Sequence, residues 1–92
     1  MTSKETKRKP TEDYNDSLTN DNVLILHNDD IHSFDYVIHA LMEVCEHTYE
    51  QASQCTVITH YKGKCEVKKG GFKTLKPLKD ALIERKLNAT ID

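Results

Sequence analysis

The chain of 92 residues has no uninterrupted apolar run longer than VLIL at 23–26, far short of the ~20 residues that cross a membrane. Its first 20 residues also lack the apolar stretch of a secretory signal. A cytoplasmic location is the expectation. Charge of one sign is missing too: 13 Lys and Arg face 15 Asp and Glu, for a formal charge of −2. So small an excess leaves no electrostatic footprint for nucleic acid or an anionic membrane. Cysteine is scarce, with Cys45, Cys55 and Cys65 forming an odd set without a CxxC pair. They read as reduced and mostly buried small hydrophobes. Only three glycines are present, and each falls where an apolar pattern breaks.

A chain of this length makes one domain, which buries roughly 60% of the surface its unfolded form exposes. Residues 1–21 are charged and polar, with only Tyr14 and Leu18 apolar beyond Met1, so they cannot repay their ordering entropy by burial. A flexible tail is expected there, leaving a folded domain at 22–92. VLIL reads as a strand, too short for a helix. From Phe34 the apolar positions Phe34, Val37, Ile38, Leu41, Met42, Val44 and Cys45 follow helical spacing, with Ser33 placed as cap. Thr48 and Gln51 fit a capping box for a second helix, patterned on Ala52, Cys55, Ile58 and Thr59. Gly63 stops that helix. KCEV then reads as a short strand, broken at Gly70 and Gly71. Leu75, Leu78, Ala81, Leu82 and Leu87 pattern a third helix, capped by Thr74 so that Pro77 stays in the first turn. LNATI alternates as a half-buried strand should. The expected fold class is α+β: a small three-stranded antiparallel sheet with three helices packed on it, in the order strand, helix, helix, strand, helix, strand.

The stretch HNDDIHSFDY at 27–36 concentrates polar groups where the first strand hands over to a helix. Turn chemistry alone would account for Asn-Asp-Asp, since these residues tolerate turn conformations and bond nearby amides. A second polar group, His60, closes the second helix beside Gly63. Should the two ends converge, Asn28 offers an amide oxygen, Asp29 a carboxylate and neutral His60 a ring nitrogen, three acceptors for an ammonium with three donors. That is the physical basis of N-terminal amine capture. Phe34 and Val37, one turn apart, with Thr56 one turn before His60, would wall an apolar pocket beside it.

LHNDDIHSFDYVI, EQASQC and ITHYKGKCEV together resemble the ClpS adaptor family, over residues 23 to 92. The Asn-Asp-Asp group with a histidine 30 residues beyond its second Asp makes the resemblance specific. It implies an adaptor that binds proteins with bulky hydrophobic N-terminal residues, the N-degrons, and delivers them to a Clp-family AAA+ unfoldase and its protease. Asn28, Asp29 and His60 match the family positions that hold the substrate's α-amine. Asp30 matches the next acidic position, and His32 one that is commonly Thr. Phe34 occupies the place of a Met that lids the pocket, and Val37 and Ala40 match wall positions. Thr56 and Thr59 stand where apolar residues line it, a departure that makes this pocket more polar. On the unfoldase face Lys76 matches a basic contact to the N-terminal domain of a ClpA- or ClpC-like partner, whereas Gly71 stands where an acidic contact is usual. A monomer without cofactor or metal is expected, and the resemblance implies that the N-terminal extension is presented to the unfoldase.

Three other functions compete with it. A Cys-His-Asp hydrolase would need a thiol beside His60 in a pKa-lowering site, and the cysteines fall instead on apolar positions. A metal centre drawn from His27, His32, His39, His47 and Cys65 matches no zinc module; His39 and His47 read as solvated positions on the first helix and its exit turn. A module that regulates the Clp unfoldase without binding N-degrons would carry the same fold.

Overall fold

Backbone bonding begins where the apolar residues do. The computed structural model describes residues 21–92, so the expected tail, residues 1–21, lies outside the described residues except for Asp21. The elements are β1 (Asn22–His27), α1 (Phe34–Cys45), α2 (Tyr49–Lys62), β2 (Lys64–Gly70), α3 (Phe72–Glu84) and β3 (Asn88–Ile91). The three strands form an antiparallel sheet in the order β2-β1-β3. The α+β architecture and its element order are as the sequence implies.

β1 is central because its apolar run can be buried along its length. Leu24 and Leu26 face a core built from all three helices, with Ile38, Leu41, Cys45, Ala52, Leu75 and Leu82. The helices therefore cover one face of the sheet. Ile25 points to the other face, between its pairing partners Glu66 and Thr90. A bulge interrupts the β1-β2 register: Leu24 pairs with Lys68 and Ile25 with Glu66, leaving Val67 as the extra residue. Beside it, the Lys68 ammonium donates to the Cys45 carbonyl at 3.5 Å, meeting one of the groups that a helix end leaves unpaired.

Caps set most helix ends. The Ser33 hydroxyl accepts from the Tyr36 amide at 3.1 Å. Thr48 and Gln51 form a complete capping box, with bonds of 3.1 and 3.0 Å. Gly63 closes α2 at φ 92°, a conformation glycine adopts without a Cβ penalty.

Four local readings need correction. β2 continues past KCEV to Gly70, because the bulge keeps the chain paired with β1. α3 starts at Phe72 with Gly71 in extended backbone as its cap, so Thr74 is the third helical residue rather than the cap. Pro77 then sits in the second turn, where it costs the helix one backbone bond. Leu87 lies beyond α3: Lys86 takes φ 68°, and the Lys86 and Leu87 amides donate back to the carbonyls of Ile83 and Leu82 at 2.9 and 3.0 Å. This Schellman closure folds Leu87 into the core. On α2 the buried residues are Ala52, Thr56 and Thr59, whereas Ile58 is 40% exposed. Threonine can be buried there because its hydroxyl finds a partner in the preceding turn of the helix.

Candidate functional site

Three chain segments meet at one end of the sheet: the exit of β1, the C-terminus of α2 and the turn after α3. The Asn28 amide donates to the Gly63 carbonyl at 2.9 Å, which fastens the HNDD segment to the end of α2. Tyr36, in the first turn of α1, donates its hydroxyl to the Arg85 carbonyl at 2.7 Å, which fastens α1 to the end of α3. The cavity between them is lined by Leu26, His27, Asn28, Asp29, His32, Phe34, Val37, Thr56, Thr59, His60 and Leu87.

Asp29 does the turn chemistry. Its Oδ1 accepts from the amides of Ile31 and His32 at 2.9 and 3.0 Å, and the His32 ring nitrogen Nδ1 lies 3.1 and 3.0 Å from its two oxygens. Since an ionised carboxylate only accepts, Nδ1 is the donor and carries the proton. His32 is held in turn by stacking on Tyr36, with ring centroids 4.6 Å apart. Asp29 is thus fixed before any ligand arrives, yet its two oxygens offer about four lone-pair sites, and not all are taken. Among the described residues the side chains of Asn28 and His60 have no hydrogen-bond partner. The rim therefore presents an amide oxygen, a carboxylate and, in the neutral ring, an imidazole nitrogen.

Partial burial raises the Asp29 carboxyl, but the His32 and Ile31 amides and the His32 ring outweigh that and hold it below its ordinary value of 3.8. The ionised form is the one bonded in the fold. Its contribution to stability is accordingly present above the unfolded value and is lost as pH falls through the lower, folded one. Asp29→Asn keeps an oxygen for the two amides and removes the charge. The stability gap between the parent protein and this variant is expected to hold steady above about pH 5 and to shrink toward pH 3. Urea unfolding across that range checks it.

Aromatic rings close the mouth. Phe34 meets His60 edge-on at 5.3 Å, and Tyr61 flanks the other side of His60 at 5.0 Å. With its walls as they stand the cavity is narrow. Phe34, itself 41% exposed, forms the outermost apolar wall.

The structure brings together most of the residues singled out above, though not all of them. Asn28, Asp29, His32, Phe34, Val37, Thr56, Thr59 and His60 share the cavity. Asp30 is exposed and does not line it. Ala40, read as a wall, is buried in the core cluster instead, because its position on α1 faces the other helices. Lys76 lies on the exposed side of α3, paired with Asp80 at 2.9 Å. Leu26, His27 and Leu87 line the cavity without having been singled out as pocket residues. Leu26 was legible as the last apolar residue before HNDD. Leu87 was hidden because Lys86, not a glycine, makes the left-handed turn that aims it.

The cysteines stand apart from the cavity. Burial pushes the Cys45 and Cys65 thiols up to about 11 and about 12, the opposite of what a nucleophilic thiol requires. His47, read as solvated, is half-buried with its Nε2 2.7 Å from the Val67 carbonyl.

A model of the family described as ATP-dependent Clp protease adaptor protein ClpS matches residues 10–90, nearly the whole chain. Comparison with curated proteins gave no match. The matched span takes in β1, both ends of the HNDD loop, His60 and Leu87, so the cavity described above lies wholly inside it. The chain belongs to the ClpS family, whose members are adaptors of the ATP-dependent Clp protease rather than catalysts.

Proposed function

We propose that this adaptor captures proteins by a free N-terminal amine and the bulky hydrophobic side chain beside it, and hands them to the N-terminal domain of a Clp-family AAA+ unfoldase. The observation that carries this reading is the placement of Asn28, Asp29 and His60 around the mouth of a cavity whose remaining walls include Leu26, Phe34, Val37 and Leu87. An ammonium bound at that rim would direct the first side chain inward, while the rest of the substrate stays outside. Neither half suffices alone, because burying one apolar side chain contributes roughly 1.5–3 kcal/mol and association must first offset the lost freedom of two bodies. Lys76 on the exposed side of α3 is the residue assigned to the unfoldase. The setting proposed is the cytoplasm, where three free cysteines are at home.

The narrow cavity favours a second reading, in which the domain regulates the unfoldase and takes no N-degron. One titration separates the two. Two labelled peptides, identical except for Leu or Ala at the first position, are added to the protein and fluorescence anisotropy is followed. Capture predicts at least about tenfold tighter binding of the Leu peptide, the equivalent of about 1.4 kcal/mol of extra apolar burial. Absence of binding by both peptides would leave the regulatory reading.

A further inference from the structure

We infer that the buried end of the pocket selects among aromatic first residues, favouring tyrosine and tryptophan, which carry a hydrogen-bond donor on the ring, over phenylalanine. This rests on reading the cavity as the N-degron pocket. The groups responsible are Thr56 and Thr59, which line the cavity and are only 3% and 5% exposed. Asn28 and His60 are exposed, so the two threonines form the deep end and the amine acceptors form the mouth.

Each threonine hydroxyl donates to the carbonyl four residues back, Thr56 to Ala52 and Thr59 to Cys55, both at 2.7 Å. A hydroxyl has one hydrogen and two lone pairs. With its hydrogen committed to the helix, the oxygen is left as an acceptor only, and among the described residues nothing donates to either one. The deep end thus has the same chemical character as the mouth: its free capacity is for donors. A phenol O–H or indole N–H that reaches it gains a bond, whereas a phenyl ring gains none. Valine at these two positions would fill similar volume and show no such preference.

Anisotropy titrations test this with peptides that are identical beyond the first residue and begin with Leu, Phe, Tyr or O-methyltyrosine. The last keeps the ring oxygen and lacks the donor. One neutral hydrogen bond predicts Tyr binding about 3- to 10-fold tighter than Phe, with O-methyltyrosine no tighter than Phe. In a Thr56→Val, Thr59→Val variant the Tyr-to-Phe ratio should fall below about twofold, and in the Thr56→Ser, Thr59→Ser variant, which keeps both oxygens, it should persist. The ratio is taken within each protein, so a general loss of affinity cancels. Should the double Val variant fail to fold, each single Val variant is measured, and the parent protein's preference for Tyr over O-methyltyrosine needs no variant at all. Equal binding of Phe and Tyr by the parent protein, or an unchanged ratio in the Val variants, overturns the inference while leaving N-degron capture intact. Failure of all four peptides, Leu included, overturns both.

Discussion

Acetylating the amino group of a Leu-initiated peptide is expected to lower its affinity by at least about 100-fold, or about 2.8 kcal/mol. The reason lies at the rim. Hydrogen bonds to a charged group contribute roughly 1.5–3 kcal/mol each, more than neutral ones. Among the described residues the side chains of Asn28 and His60 have no hydrogen-bond partner, and Asp29 is held by the amides of Ile31 and His32 in one orientation, so the carboxylate needs little ordering when the ammonium arrives. Acetylation removes the charge, takes away two of three donors and sets a methyl group against the carboxylate. The partly buried Asp29 then loses water without gaining a counter-charge. Competition titration of the free and acetylated peptides against one labelled probe measures the ratio.

Leu82→Ala is expected to destabilise the fold by about 2–5 kcal/mol, a large part of the 5–15 kcal/mol that holds a typical small domain together. Leu82 is fully buried in the core cluster, and its carbonyl accepts from the Leu87 amide. The cavity left by truncation therefore opens beside the turn that carries Leu87 into the pocket. A fall in Tm of about 10–30 °C should appear by calorimetry, together with weaker peptide binding. Ile83→Ala, one residue along and 46% exposed, should stay within about 1 kcal/mol of the parent protein.

Legibility of the fold from the sequence followed the strength of local signals. VLIL, the Thr48–Gln51 capping box and Gly63 each act through neighbouring backbone, and each element they mark is present at the expected place. α3 was displaced because Gly71, in ordinary extended backbone, serves as a cap without a side-chain bond, while Thr74 looks like a better cap and Pro77 like a first-turn residue. On α2 the expected inner positions Ala52, Cys55 and Thr59 do face the core or the cavity, and only Ile58 does not: it is 40% exposed, and Thr56, which satisfies its hydroxyl within the helix, is buried. At the site, Asn28, Asp29 and His60 were legible because the residue types are complementary to an amine and sit at the ends of two predictable elements. Leu87 was not. Its place depends on a left-handed lysine, which no residue preference announces. The closed mouth was also invisible, since it depends on the angle at which Phe34 meets His60.

In the proposed function one cavity receives both the amine and the first side chain of a substrate. Amide ¹H–¹⁵N NMR spectra of the labelled protein, recorded while a Leu-initiated peptide is added, test it most directly. Shifts are expected to concentrate at Asn28, Asp29, Phe34, Thr56, Thr59, His60 and Leu87, with the outer side of α3 around Lys76 unmoved and the acetylated peptide without effect. Shifts confined to another surface, or equal shifts from the free and acetylated peptides, would contradict it.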